Sequence, residues 1–490
     1  MYHILTGHAF ENEIQTVTQL FYQNEGFIRA RDIQPRGITA VSALEGGYCR
    51  SRVYADGVLA GEDVSAVGPG PVYAVRQLIK LSMFDALVKT TGFAPTWGAL
   101  TGIRPTKLVN NLFESGMTRE QAVDRLTGFY RASREKAELA AEVAGRERAV
   151  IERGYGDGYS LYIGIPFCPT RCAYCSFTSH PIARYAGLIG DYLSALEKEL
   201  AFISANKSGR LQALYIGGGT PTSLSLPDLS RLLDIIEGRF VLSGLGEFSV
   251  EAGRPDTLDP QKLALLKRRG VGRISVNPQT MHDHTLRRIG RGHTVRRFLD
   301  AFYAAREAGH GNINIDLILG LPGETPDDVR DTFERAAPLC AENVTVHTLA
   351  VKRASIINRG TLFAGAQLPE NADGLKTSLA GAAEMERMLA IAGDSMKGAG
   401  MYPYYLYRQK NMIGNFENVG YCRPGFECVY NVEIMQERRP VIAAGAGGAT
   451  KLVDAATGRV ERVFNVSDAG LYIARIDEMI GRKRRHPLFK

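Results

Sequence analysis

Between residues 160 and 350 the chain alternates short apolar segments with amphipathic ones, and this alternation limits the folds it can adopt. Six apolar segments have the length and residue types of buried strands, and a helix-like segment separates each from the next. They are SLYIGI, LQALYIG, EFSVEA, GRISVN, NINIDLIL and NVTVHTLA. Strands connected in this way pair in parallel, so we predict an α/β fold of six β/α units, as an open sheet or a partial barrel. In such sheets functional residues follow the carboxyl ends of the strands.

The segments on either side of this series have different patterns, which predict further domains in a chain of 490 residues. Residues 1–153 contain ITAVSALEGGYCRSRVYADG, whose apolar alternation is broken at Gly46-Gly47 and at Asp56-Gly57. This pattern predicts antiparallel strands joined by tight turns, and a long helical stretch follows it. We therefore expect an N-terminal α+β accessory domain at 1–153, the β/α series at 154–360 and a C-terminal domain at 361–490.

Composition favours a protein of a reducing compartment. We find no apolar run long enough to cross a bilayer, and MYHILTGHAFENEIQ has neither the basic flank nor the apolar stretch of a secretory signal. We expect a cytoplasmic location, where the seven cysteines act as thiols or metal ligands rather than disulfides. The net charge of +7 suits an acidic small molecule but is also ordinary for this size. We interpret the basic run at residues 482–485 as a solvated tail and expect no nucleic-acid partner.

Three of the cysteines lie in CPTRCAYC, directly after the first strand of the series. Cys168, Cys172 and Cys175 could converge on one inorganic cluster from a single loop, because thiolates are the usual ligands of iron–sulfur clusters. A cubane held by three thiolates leaves one iron open to an exchangeable ligand. Two alternatives stay open on the residues alone: a zinc site completed by His180, or three unrelated buried cysteines.

The cysteine loop and several later segments resemble the radical S-adenosylmethionine (SAM) enzymes. The loop LYIGIPFCPTRCAYCSF is similar to that of the oxygen-independent coproporphyrinogen III oxidase group, which includes the haem chaperones called HemW. IGGGTPTSL, SVEAGRPDTL, GRISVNPQT, IGRGH and NINIDLILGLPGET follow in that group's order. YYLYRQKNMIGNFENVGY, GAGGATK and WGALTGIRPTKL resemble its branch of HemZ-type coproporphyrinogen dehydrogenases. The resemblance implies a partial (β/α)6 radical SAM barrel with a HemN-like C-terminal domain that covers the substrate.

The resemblance also implies the cofactors, a [4Fe–4S] cluster on Cys168, Cys172 and Cys175, and SAM bound to the free iron. Reduction of the cluster by an external donor, such as flavodoxin or ferredoxin, splits SAM into methionine and a 5′-deoxyadenosyl radical. The implied SAM-binding positions are Tyr162, Tyr174, Gly219, Thr220, Glu251, Gln279, Arg291, Asp316 and Ala350.

The chemistry of several of these residues suits such roles. Glycines at 217–219 let the backbone approach a ligand closely, although a GGGT turn alone is more often only a tight turn. Glu251 could bind ribose hydroxyls or an ammonium group, and the alternative is that Arg254 and Asp256, just after it, are its salt-bridge partners. Arg291 could bind a carboxylate through charge-assisted hydrogen bonds. Asp316 lies in a strand with the pattern of a buried one, where an unpaired carboxylate would lower the stability of the fold. For Tyr162 and Tyr174 the alternative is core packing.

Two positions differ from the group's patterns. The oxidases have a further cysteine where this chain has Phe177, and a histidine where it has Gly164. The HemW-like chaperones share the phenylalanine, but they have a His-Asn pair where this chain has Tyr430-Asn431. Tyr430 could ligate iron.

The resemblance implies a tetrapyrrole substrate and leaves three functions open. The first is decarboxylation of two propionates of coproporphyrinogen III to vinyl groups, giving protoporphyrinogen IX. In it the radical takes a β-hydrogen, carbon dioxide leaves and an acceptor removes an electron. The second is a haem or tetrapyrrole carrier, and the third is radical modification of haem under anoxia. We expect a monomer. Basic residues that could bind the propionates, or could equally be surface charges, are Lys352, Arg353, Arg408 and Lys410.

The remaining cysteines carry weaker signals. Cys422 and Cys428 have a C-x5-C spacing that could serve a redox or second metal role. We interpret Cys49 and Cys340 as small core residues.

Overall fold

The computed structural model describes residues 1–22, 26–102, 104–154, 156–175, 179–350, 381–409, 415–454 and 457–489. The chain divides into two compact units. The first comprises residues 1–142 with 408–416, and the second comprises residues 143–407 with 417–490. The three-domain division at 1–153, 154–360 and 361–490 stays a prediction.

The first unit contains a five-stranded sheet and four whole helices, with a fifth helix that continues into the second unit. Its elements are β1 (Tyr2–Thr6), α1 (Glu11–Thr18), β2 (Ile28–Arg29), β3 (Ile38–Glu45), β4 (Tyr48–Ala55), β5 (Val58–Ala66), α2 (Val72–Thr91), α3 (Pro105–Glu114), α4 (Arg119–Gly128) and α5 (Arg134–Glu152). The sheet order is β2-β1-β3-β4-β5.

The antiparallel strands predicted in this unit are confirmed, since β3, β4 and β5 pair antiparallel in succession. Both turns have positive φ at their two central residues, 58° and 78° at Gly46 and Gly47, and 49° and 81° at Asp56 and Gly57. Two-residue turns of this kind follow the right-handed twist of the strands, and glycine and aspartate tolerate the positive φ.

The second unit contains the remaining described elements. Its strands are β6 (Tyr159–Ile165), β7 (Phe167–Cys168), β8 (His180–Pro181), β9 (Leu211–Gly218), β10 (Glu247–Val250), β11 (Arg273–Ser275), β12 (Ile313–Leu319), β13 (Asn343–Thr348), β14 (Tyr402–Arg408), β15 (Glu417–Cys422), β16 (Val441–Ala444), β17 (Ala449–Val453) and β18 (Val460–Phe464). Its helices are α6 (Ile182–Tyr185), α7 (Ile189–Asn206), α8 (Leu226–Glu237), α9 (Pro260–Arg268), α10 (Asp283–Arg288), α11 (Val295–Glu307), α12 (Pro326–Ala336), α13 (Ala382–Gly398), α14 (Val429–Gln436), α15 (Ala469–Ala474) and α16 (Ile476–Arg484).

The six predicted strands are confirmed as β6, β9, β10, β11, β12 and β13, which lie side by side in chain order and pair in parallel. Later strands extend both edges of this series. β16 pairs in parallel with β6, and β15 pairs antiparallel with β13. A partial barrel leaves two edges with unpaired backbone groups, and these strands cover them. The strands of the C-terminal segment therefore belong to the same eleven-stranded sheet.

The basic run near the C-terminus is not a solvated tail throughout, so that prediction is wrong in part. The run begins inside α16, and the Lys483 ammonium is fully buried, 2.6 Å from the Glu199 carboxylate of α7. The side chain of Asn465 and the N–H of Gly445 also donate to Glu199, at 2.9 Å each. A buried charge needs such partners, because leaving one uncompensated costs several kcal/mol. This network holds α16 against α7.

No helix in the described ranges is long and apolar enough to cross a membrane.

Candidate functional site

The loop with three cysteines lies between β7 and β8, at the carboxyl end of β6. Cys168 ends β7, and the N–H of Cys175 donates to the carbonyl of Cys172 at 3.1 Å. The N–H of Ala173 donates to the carbonyl of Ile289, which fixes the loop to the segment after α10. None of the seven cysteines, all in the described ranges, forms a disulfide. Phe177 lies outside the described residues.

Two guanidinium groups, that of the buried Arg254 and that of the half-buried Arg291, lie beside the middle cysteine. Nη1 of Arg254 is 3.4 Å and Nη1 of Arg291 is 3.8 Å from the Cys172 sulfur. Burial raises the pKa of the Cys168 thiol, and the Thr220 hydroxyl, 3.4 Å from its sulfur, acts in the opposite direction. Positive charge near thiols favours thiolates and the anionic groups they bind. The donor set and its charges therefore fit an iron–sulfur cluster.

The zinc alternative is not supported by the position of His180. Its Nε2 lies 3.4 Å from the N–H of Ala469, and its ring centroid lies 4.6 Å from that of Tyr185. In the described parts of the chain, no group of three or more His, Cys, Asp or Glu side chains is arranged to hold a single metal ion. A cubane is larger than one ion, so its three sulfurs do not need to meet at one point.

The GGGT segment packs directly on the cysteine loop, and this packing explains its glycine. A Cβ at Gly219 would lie 2.6 Å from the carbonyl oxygen of Phe167, which leaves no room for a side chain. The N–H of Gly219 donates to Ile165 O at 2.8 Å, and that of Thr220 donates to Phe167 O at 2.7 Å. The hydroxyl of Thr220 lies against Cys168. Both predicted SAM positions thus also shape the cysteine loop.

Glu251 follows β10 and bonds to β9 rather than to its neighbours in sequence. Its carboxylate accepts from the Tyr215 hydroxyl at 2.6 Å and from the N–H of Gly218 at 3.1 Å. Burial raises the pKa of Glu251 to about 7. The alternative of a salt bridge to Arg254 is wrong, since Arg254 pairs with Asp256 at 2.8 Å.

Asp316 is the second acid of the site, and its neighbours lower its pKa, whereas the pKa of Glu251 is raised. Burial alone would raise its pKa, but His347, 3.8 Å away, and a hydrogen bond from Asn314 outweigh burial and lower the pKa. Asn277 also donates to its carboxylate at 2.7 Å. Asp316 is therefore a charged acceptor, while Glu251 titrates near neutral pH. Carboxyl groups with opposed pKa shifts are typical of functional sites.

Gln279 bonds to the main chain of Asp316, and Arg291 lies beside the Cys172 sulfur. Gln279 has φ of 72°, a left-handed conformation that is uncommon outside glycine. Backbone bonds to Asp316 O and from Ile318 N hold it there, and such strain is concentrated at functional sites. Nη2 of Arg291 donates to two main-chain carbonyls, those of Gly253 and Asn277. Its Nε is buried and has no hydrogen-bond partner among the described residues, so it can still donate to a ligand.

Three tyrosine rings, which we call the tyrosine stack, lie beside Glu251. They are Tyr162, Tyr215 and Tyr430, with centroids 4.3 to 6.2 Å apart and planes within 20° of parallel. Tyr162 and Tyr215 are register partners on β6 and β9. Sequence reasoning missed Tyr215, although LYIG recurs at 161–164 and 214–217 and could have revealed it. Burial raises the pKa of the Tyr430 hydroxyl, which disfavours the phenolate form that would ligate iron.

Tyr174 and Ala350 are two further predicted SAM positions. Tyr174 is half-buried in the cysteine loop, and burial raises the pKa of its hydroxyl although the charge of Arg291 acts to lower it. Ala350 is the second residue after β13, and the N–H of the intervening Leu349 donates to Leu319 O at 3.0 Å.

Arg408, a predicted propionate ligand, is instead part of the first unit. It is buried, and its Nε and Nη2 donate to the main-chain carbonyl of Asn415. Nη1 donates to the carbonyl of Leu100, and the guanidinium lies 5.3 Å from the centre of the Trp97 ring. These contacts bind the guanidinium to the protein itself, so a substrate carboxylate is not favoured there. Lys352, Arg353 and Lys410 lie outside the described residues.

Among the residues that the structure describes, the other cysteines belong to no cluster of side chains that could hold a metal ion. Burial raises the pKa of Cys422 to about 12 and that of Cys428 also well above its usual value. Thiols that stay protonated are poor metal ligands and poor nucleophiles, so a structural role is favoured for both. Cys49 is buried as predicted, whereas Cys340 is exposed, and its interpretation as a core residue is wrong.

Comparison with known proteins identifies the family to which this chain is similar. The model of the radical SAM superfamily matches residues 162–336. The chain is 39% identical over 418 residues to the oxygen-independent coproporphyrinogen-III oxidase-like protein HemZ of Bacillus subtilis, covering 84% of this chain and 81% of that protein. It is 42% identical over 196 residues to the haem chaperone HemW of the same organism, covering 39% of this chain and 51% of that protein. The structure of coproporphyrinogen III oxidase HemN from Escherichia coli superposes with a TM-score of 0.52 at 22% identity, over 68% of this chain and 72% of that one.

Proposed function

Because this chain belongs to the radical SAM family of oxygen-independent coproporphyrinogen III oxidase-like proteins, we propose that it decarboxylates coproporphyrinogen III to protoporphyrinogen IX without oxygen. The family's cofactors are a [4Fe–4S] cluster and SAM. One observation carries the proposal. Two interacting acids with opposed pKa shifts, Glu251 after β10 and Asp316 within β12, lie in the sheet whose β6 leads into the three-cysteine loop.

Cys168, Cys172 and Cys175 would hold the cluster. When bound, the cluster and SAM together supply a 5′-deoxyadenosyl radical that removes a hydrogen atom from the substrate. The support for this ligand set is the pair of guanidinium groups beside Cys172, those of Arg254 and Arg291, which offset the negative charge of thiolates.

Several side chains would bind and orient SAM. Arg291 has a buried Nε that can donate to the methionine carboxylate. Asp316 and Glu251 offer acceptors to the ammonium group or to ribose hydroxyls. Their bonds to Asn277 and Tyr215 keep both carboxylates in fixed orientations, which reduces the entropy lost on binding. Gly219, Thr220, Gln279, Tyr162, Tyr174 and Ala350 complete the proposed SAM-binding set.

The tyrosine stack supports a substrate with aromatic rings. Tyr162 and Tyr215 are only partly buried, and we propose that their rings contact the pyrrole rings of a tetrapyrrole. Each decarboxylation begins with loss of one β-hydrogen from a propionate. The C–COO⁻ bond then breaks, carbon dioxide leaves, a vinyl group forms and one electron passes to an external acceptor. Lys352, Arg353 and Lys410 remain proposed partners for the carboxylates.

A tetrapyrrole carrier is the second candidate function, and the likeness to the haem chaperone HemW favours it. The observation against haem ligation by Tyr430 is the burial of its hydroxyl within the tyrosine stack. Radical modification of haem under anoxia is a third outcome of the same experiment. We further propose an external donor such as flavodoxin or ferredoxin, a monomeric state and a cytoplasmic location.

An anaerobic turnover assay separates these functions. Reconstituted protein, dithionite, SAM and coproporphyrinogen III are incubated, and 5′-deoxyadenosine and the divinyl product are followed by mass spectrometry. We expect both products with the wild type and neither with Cys172→Ala, while Cys340→Ala, an exposed cysteine, serves as the matched control. SAM cleavage without decarboxylation would contradict the proposal and favour haem as substrate. Stoichiometric haem binding without turnover would favour the carrier.

A further inference from the structure

Arg254 makes a set of contacts that the proposed function does not use. Its side chain is buried, with 2% of its surface exposed. Nε and Nη2 donate to the two carboxylate oxygens of Asp256 at 2.9 and 2.8 Å. Nη2 also donates to the hydroxyl of Thr170 at 3.2 Å. Nη1 donates to the Thr170 carbonyl and to the Cys172 sulfur, each at 3.4 Å. The guanidinium of Arg254 therefore joins the segment after β10 to the cysteine loop.

The orientation of this group directs positive charge at the sulfur. Asp256 binds the edge formed by Nε and Nη2, so Nη1 is the nitrogen that approaches Cys172. Burial alone would raise the pKa of Asp256, but the bonds from Arg254 lower it, so the carboxylate is charged and holds the guanidinium in place. A Cβ at Gly292 would lie 3.0 Å from Asp256 and 3.1 Å from Arg254, so the absence of a side chain there leaves room for the pair.

We propose that Arg254 is a positioning residue that orients the Cys172 thiolate and raises the reduction potential of the iron–sulfur cluster. The inference rests on the proposed ligand set. The reduced cluster carries one more negative charge than the oxidised one, so a nearby cation and a hydrogen bond to a ligand sulfur stabilise the reduced form more. Arg291 contributes a second cation at 3.8 Å from the sulfur. Its bonds to described residues are to main-chain carbonyls, whereas Arg254 pairs with the carboxylate of Asp256.

The test is a redox titration of the reconstituted protein, with dithionite as the one-electron donor and the EPR signal of the reduced cluster as the readout. We compare the wild type with Arg254→Gln and Arg254→Lys. Arg231→Gln is the matched control, since Arg231 of α8 donates to Gly190 and Ser194 of α7. At the wild-type midpoint we expect Arg254→Gln to show about a tenfold lower ratio of reduced to oxidised cluster, a shift of about 59 mV for one electron.

The Lys variant should shift in the same direction by less, because it keeps the charge but cannot bond to the acid, the hydroxyl and the sulfur together. Arg231→Gln should titrate like the wild type. Iron and sulfide are measured first. Equal midpoints for the wild type and Arg254→Gln would overturn the inference. If Arg254→Gln holds no cluster, the midpoint of Arg254→Lys is compared with that of the wild type instead. Loss of the cluster from both variants would show that Arg254 is a structural residue and would refute its role in setting the potential. A cluster that persists in Cys172→Ala would instead contradict the proposed ligand set.

Discussion

The Tyr215→Phe variant tests the link between the tyrosine stack and the SAM site. The substitution removes one hydroxyl, which donates to the Glu251 carboxylate at 2.6 Å, and leaves the stacked ring in place. This hydrogen bond lowers the pKa of Glu251, against the burial that raises it to about 7. Without the hydroxyl, the charged form of Glu251 loses stabilisation, and its pKa must rise further.

The size of this rise follows from the energy of the bond. A hydrogen bond to a charged group contributes about 1.5–3 kcal/mol, and one pKa unit corresponds to about 1.4 kcal/mol. Glu251 is half-buried, so we take the lower end and expect a rise of about one unit. If the carboxylate binds SAM, affinity is lost as pH falls through the pKa of Glu251. The pH at which affinity is half lost should therefore move about one unit upward in the variant.

The assay is equilibrium dialysis of radiolabelled SAM against the reconstituted, oxidised protein between pH 6 and 9.5. The groups of SAM titrate identically with both proteins, so the difference between the curves isolates the protein's contribution. Tyr303→Phe is the matched control, because Tyr303 is an exposed residue of α11. Superposable curves for Tyr215→Phe and the wild type would refute the role of Glu251 as a charged SAM ligand positioned by Tyr215.

Two further predictions concern packing. Lys483→Met should lower the free energy of unfolding by about 3–5 kcal/mol in urea titrations, because it leaves the Glu199 charge buried without its cation. The control Arg484→Met, at an exposed position, should change it by less than about 0.5 kcal/mol. Equal effects of the two substitutions would contradict the buried ion pair. Gly219→Ala should lower the iron content after reconstitution, because its Cβ would lie 2.6 Å from a carbonyl oxygen of β7, while Gly187→Ala, with nothing within 4 Å, should retain it. Full iron content in Gly219→Ala would show that the cysteine loop does not depend on this approach.

The parallel series could be predicted because its signal is local. Each strand is a short apolar run bounded by turn residues, and the strands follow one another in space in chain order. The strands added by the C-terminal segment could not be predicted in the same way. Which strand pairs with an edge strand depends on the tertiary fold. Nothing in the segment Val441–Ala444 itself indicates that it pairs with Tyr159–Ile165.

The contacts within the site, like the pairing of the edge strands, could not be predicted from the sequence. The family resemblance, together with residue chemistry, selected Glu251, Arg291 and Asp316 as candidates, but it did not identify what each contacts. Arg254 follows Glu251 closely, which suggested a local salt bridge, whereas it bonds to a cysteine 82 residues away. Lys483 belongs to a run of basic residues, and its partner is 284 residues away. Long-range pairing of buried charges depends on the assembled fold and leaves no periodic signal in the sequence.

Transfer of deuterium from substrate to cofactor tests the central claim most directly. Coproporphyrinogen III labelled with deuterium at the propionate β-carbons is incubated anaerobically with reconstituted protein, SAM and dithionite, and 5′-deoxyadenosine is analysed by mass spectrometry. We predict 5′-deoxyadenosine that is one mass unit heavier, formed together with a product that has lost carbon dioxide. Unlabelled 5′-deoxyadenosine with intact coproporphyrinogen III would contradict the proposed reaction.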